Sequence, residues 1–121
     1  MLVNENIVHR VGGASVENLR LKPLEATLTP PGISLLAEGT AVDAANAIRR
    51  AFPQSKKWQR LAGTVASTTI AEVRAMGFDI LEDPTALFPN HARLVHPLGL
   101  IGFRDDWLNL LQTVFVERKG C

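Results

Sequence analysis

The sequence has one cysteine, Cys121, at its last position. A lone cysteine forms no internal disulfide, so nothing here calls for an oxidising compartment. A terminal residue is also a poor anchor for a metal site. No apolar run reaches about 18 residues, the length that spans a bilayer as a helix, so no membrane span is expected. The N-terminus carries Asn4, Glu5 and Asn6 in place of an apolar segment, and no signal peptide is expected. Together these absences lead us to expect a bacterial cytoplasmic protein. Excess charge is lacking too. The net charge is +1, which argues against a polyanion binder acting through its overall charge. The signs are unevenly placed, however. Residues 1–60 hold 8 Lys/Arg and 5 Asp/Glu, while residues 61–121 hold 5 and 7.

Several catalytic signatures are missing. No G-x-S-x-G elbow is present, which removes the familiar α/β-hydrolase triad. Gly12-Gly13 and Gly99-x-x-Gly102 lack both the Lys-Ser/Thr of a P-loop and the G-x-G-x-x-G spacing. These glycines read as turns. His91 and His96 stand five apart with no cysteine or carboxylate close in sequence, so no metal site is expected.

What is present predicts an α+β chain of 121 residues forming a single compact domain, residues 1–121, with a small, mostly antiparallel sheet and about three helices. Ile7–Val11 reads as a strand ended by Gly12-Gly13. Ala14 to Pro31 reads as extended chain with turns, because Pro23, Pro30 and Pro31 prevent a long helix. Gly32–Ala37 reads as a strand. Thr40 is placed to cap a helix with Ala44, Ile48, Ala51 and Phe52 on one face, stopped by Pro53. Thr69 and Glu72 have capping-box spacing, and Gly77 ends that helix before a strand at Phe78–Leu81. Arg93–His96 reads as a strand. Arg104 to Glu117 reads as a last helix with Trp107, Leu110, Leu111 and Val114 at i, i+3, i+4, i+7.

The stretch Phe88 to Phe103 concentrates polar chemistry. His91, Arg93 and His96 are the candidate catalytic residues, because arginine grips phosphate and histidine moves protons near neutral pH. His9, Arg10 and Ser34 are the candidate ligand-binding residues, on strands that a shared sheet would bring near. Arg49, Arg50, Lys56, Lys57 and Arg60 surround Trp58, a combination that suits phosphates and a stacked base of a nucleic acid. The apolar stripe of the last helix, through Trp107, Leu111 and Phe115, suits a core or a contact with a second copy or another protein.

Val8-His9-Arg10 followed by Ile33-Ser34-Leu35 ahead of an alanine-rich helix resembles small bacterial toxins with an ADP-ribosyltransferase-like fold. That resemblance implies contact of the strand histidine or arginine with NAD, and support of that site by the serine. The chain departs from the family in having no tyrosine and no Glu-x-Glu. No cofactor is expected apart from the NAD that this resemblance implies. Two readings follow. One is a toxin or effector-type domain acting on a nucleotide or RNA through His and Arg residues. The other is a non-catalytic module, such as an immunity or accessory protein, associating through its last helix.

Overall fold

A computed structural model describes residues 2–121. Its centre is one antiparallel sheet of six strands: β1 (Ile7–Val11), β2 (Ile33–Leu36), β3 (Thr64–Thr69), β4 (Asp79–Glu82), β5 (His91–Val95) and β6 (Val116–Lys119). Their order across the sheet is β4-β5-β2-β1-β3-β6. The expected α+β class is what the structure shows. The described residues hold six α-helices, not three: α1 (Val16–Leu19), α2 (Pro23–Ala26), α3 (Ala41–Ala51), α4 (Lys56–Leu61), α5 (Ile70–Ala75) and α6 (Asp105–Leu111). Two 3-10 turns flank α6, at Gly99–Phe103 and Gln112–Val114. Among the described residues, no helix is long and apolar enough to cross a membrane.

Side chains alternate between the two faces of the sheet. Val8, Ile33, Leu35, Ala66, Ile80, Ala92 and Leu94 point to one face, where α1, α5 and α6 supply Leu19, Ile70, Val73, Leu108 and Leu111. Val11, Leu36 and Val65 point to the other, where α3 lays down Ala41, Ala44, Ala45 and Ile48. Alanines let α3 approach the strands closely. The predicted caps are in place. Thr40 Oγ1 accepts from the Asp43 amide at 3.0 Å, and Thr69 Oγ1 from the Glu72 amide at 3.2 Å. Gly77 closes α5 with φ +89°, a left-handed conformation that favours glycine.

The sequence reading needs three corrections. Ala14 to Pro31 is not merely extended, since it folds into two single-turn helices capped by Ser15 and by the Glu25 side chain. Thr64–Thr69 is an unforeseen strand. The last helix ends at Leu111, well before Glu117, and Val116–Lys119 turns back to form the β6 edge. Leu111 and Phe115 therefore lie inside this chain's own core, and Trp107 is only partly exposed. Of the two uses expected for this stripe, core or contact, Leu111 and Phe115 serve the core. The large apolar side chains exposed in this region are Leu98, Leu100, Ile101, Leu110 and Val116.

Candidate functional site

The proposed site residues fall into four separate groups. His91 and Arg93 lie two apart on β5 and so share a face. Asp83, just past β4, joins them. Arg93 Nη2 donates to Asp83 Oδ2 at 3.0 Å, and Nη1 donates to the Pro30 carbonyl at 3.0 Å. His91 Nδ1 lies 2.9 Å from the Asp83 carbonyl and 3.3 Å from its carboxylate. A carbonyl only accepts, so Nδ1 carries a proton. The only buried side-chain nitrogen or oxygen left without a partner among the described residues is Arg93 Nε. The His91 side chain is 12% exposed, and its Nε2 is not among such buried, unpartnered atoms. An aspartate holding one ring nitrogen of a histidine is an arrangement suited to proton transfer.

His96 does not join them. An odd spacing from His91 sends its ring to the opposite side of the sheet, where it stands edge-on to Phe78 and Trp107, each 4.8 Å away between centroids. Its Nδ1 accepts from the Leu98 amide at 3.1 Å. It holds a turn. The expected convergence of three catalytic residues therefore reduces to His91 and Arg93.

His9 is also apart, on the α3 face at the centre of the sheet, and is 1% exposed. Its Nε2 donates to the Glu38 carbonyl at 2.9 Å, so Nδ1 accepts from the Ser67 hydroxyl at 2.7 Å. A histidine against a serine resembles a base against a nucleophile, yet both side chains are buried and no substrate reaches them. Burial lowers the His9 pKa from its ordinary value; Arg118 adds to this, while Glu38 and Asp43 oppose it. The unfolded chain therefore binds the proton more readily. Stability from this group is complete above the unfolded value of about 6.5 and is lost as pH falls through the lower folded value. We expect the urea midpoint to drop between about pH 7.5 and about pH 5 in the wild type, and the drop to shrink in His9→Gln.

Arg10 points to the other face and is taken up internally. Nε and Nη2 donate to the Asn18 carbonyl at 3.1 and 2.7 Å, and Nη1 donates to the Ser34 carbonyl at 2.8 Å and to Glu25 Oε2 at 3.1 Å. Arg10 and Ser34 do meet, but through the serine backbone. With Arg10 8% exposed, a bound phosphate has no approach to it. Glu25, Asp83 and Glu38 are polar residues that sequence reasoning passed over. Only Asp83 carried a local signal, as an acidic turn residue ahead of Pro84.

A cleft lies elsewhere on the α3 face. It measures about 350 Å³ and is lined by Glu38, Ala47, Arg50, Ala51 and residues 87–90. Glu38 Oε2 accepts from Asn90 Nδ2 at 3.1 Å across it. Phe88 in its wall packs 6.1 Å from Phe52, which stacks on Trp58 at 5.5 Å and 18°. No family model, curated protein or solved structure matches the chain.

The predicted basic cluster divides. Arg49 is tied to the Gly120 carbonyl at 2.6 Å and the Ala62 carbonyl at 3.3 Å, and serves the fold. Arg50, Lys56, Lys57 and Arg60 are exposed beside the aromatic cluster, with Lys57 Nζ 5.9 Å from the Trp58 ring centre. Among the described residues, no group of three or more His, Cys, Asp or Glu side chains is arranged to hold a metal ion.

Proposed function

We propose that the chain is an effector-type domain that binds a nucleotide or single-stranded RNA in the cleft between α3 and residues 87–90. The observation carrying this reading is the placement of exposed cations around an aromatic cluster whose edge, Phe88, opens into the cleft. A base stacks on Phe88, a contact any base can make. Glu38 and Asn90 offer an acceptor and an amide to the base edge. Arg50 stands at the cleft wall for a phosphate, and Lys56, Lys57 and Arg60 serve neighbouring phosphates. His91 follows Asn90 directly in sequence, with Asp83 holding Nδ1. It is the group available to move a proton on a bound substrate. The NAD role suggested for Arg10 and Ser34 has less support, because the Arg10 guanidinium is enclosed.

The test is fluorescence anisotropy of a labelled single-stranded RNA. Affinity should fall steeply between about 50 mM and about 300 mM salt, as counterion release requires. Phe88→Leu should weaken it by about tenfold or more through lost stacking, and Arg50→Ala should flatten the salt slope. His91→Gln should spare affinity and remove any turnover of the RNA. Absence of binding at low salt, or binding indifferent to both Phe88→Leu and Arg50→Ala, overturns the proposal.

A further inference from the structure

The sheet ends at β6, whose four residues, Val-Glu-Arg-Lys, are all exposed. Register decides which of its backbone groups are free. Thr64 pairs with Lys119, Val65 with Arg118, Ala66 with Glu117 and Ser67 with Val116. The Gly120 amide donates to the Gly63 carbonyl at 3.0 Å, while the Gly12 amide donates to the Thr64 carbonyl at 2.8 Å from the other side. Hydrogen-bonded pairs alternate along an antiparallel ladder. Val116 and Arg118 therefore direct N–H and C=O groups at β3, and Glu117 and Lys119 direct theirs outward.

An outward row of free amides and carbonyls is a template for another strand. Edge strands commonly resist this by being short or by carrying charged side chains, lysine above all. The charges of β6 are of both signs, so they repel a second copy in one register and attract it in another. A two-fold axis normal to an antiparallel pair must pass through a residue pair, so a strand meets its own copy only in registers where some residue faces itself. With Glu117 on the axis, two carboxylates meet head-on. With Arg118 on the axis, Glu117 faces Lys119 of the second copy, twice. These two residues also carry the outward hydrogen-bonding groups. The second register therefore joins four main-chain hydrogen bonds to two opposite-charge pairs. Arg118 meets its own copy on the other face, and its length lets the two guanidiniums diverge.

We propose that β6 is a self-complementary edge through which two copies of this chain pair antiparallel about Arg118, joining their sheets into one of twelve strands. The β4 edge offers no such match, because Ile80 and Glu82 would face each other there.

The test is sedimentation velocity of the full chain over rising concentration. The wild type is expected to form dimers. Glu117→Pro removes an N–H that the chain itself does not use, and proline is tolerated on such an edge. It should give a monomer with an unchanged circular dichroism spectrum. Lys119→Glu should also be monomeric, and the charge-swapped Glu117→Lys/Lys119→Glu pair should restore the dimer. That restoration decides the matter should Glu117→Pro fail to fold. A wild type monomeric at every concentration, a dimer surviving Lys119→Glu, or a swap that fails to recover it each overturns the proposal.

Discussion

Glu25→Ala is expected to be among the most damaging single changes in the chain, costing about 3–5 kcal/mol, the range for removing one partner of a buried ion pair. Glu25 is 7% exposed and its two oxygens serve three donors. Oε1 accepts from the Lys22 amide at 2.8 Å; Oε2 accepts from the Ser34 amide at 2.7 Å and from Arg10 Nη1 at 3.1 Å. Removing the carboxylate strands a guanidinium and two backbone amides away from water. Each orphan amide adds a desolvation penalty of about 1–3 kcal/mol unless water enters. The total stability of a domain this size is about 5–15 kcal/mol, so the variant should be marginal at best. Urea unfolding of Glu25→Ala, Arg10→Met and the double variant separates the contributions. The double should cost clearly less than the sum of the singles, because it removes the unpaired charge, yet stay below wild type because the Lys22 and Ser34 amides remain without their acceptor. A single-variant loss below about 1 kcal/mol would show that water reaches the pair freely.

This network shows why the sequence revealed the fold better than the site. Caps at Thr40 and Thr69 and the stop at Gly77 are local signals, completed within three or four residues, and they placed α3 and α5. Strand β3, Thr-Val-Ala-Ser-Thr-Thr, carries one large apolar residue and gave little pattern, although it is buried between two neighbouring strands. The β-branched Thr113, Val114 and Val116 lowered helix propensity beyond Leu111, a signal outweighed by the apolar spacing. The role of Arg10 was hidden because its partners lie 8, 15 and 24 residues away, two of them through backbone carbonyls. The separation of His91 from His96 was within reach of the sequence. An odd spacing along a strand places two side chains on opposite faces. The pairing of His91 with Asp83 needed the β4–β5 register, which composition does not encode.

Gly102→Ala is the second large effect we expect, and its cause is purely steric. A Cβ at this position would overlap Cβ and Cγ of His96 and lie 2.5 Å from Nδ1. Such overlap is harmless only where the neighbour can swing away, and this imidazole cannot. Phe78 and Trp107 bracket it edge-on, and the Leu98 amide donates to its Nδ1. Phe78 in turn packs against Phe103 at 5.8 Å, so displacement of the ring spreads into the core. Overpacking at a confined position typically costs about 1–3 kcal/mol, and this contact should reach the upper end or exceed it. The proof lies in a rescue. His96→Ala alone should destabilise through the cavity it opens and the Leu98 amide it leaves unpaired. Added to Gly102→Ala, it should raise the urea midpoint, because it removes the atoms that the new methyl strikes. Additive losses in the double variant would mean that the methyl clashes elsewhere, and that His96 is not what requires a glycine at 102.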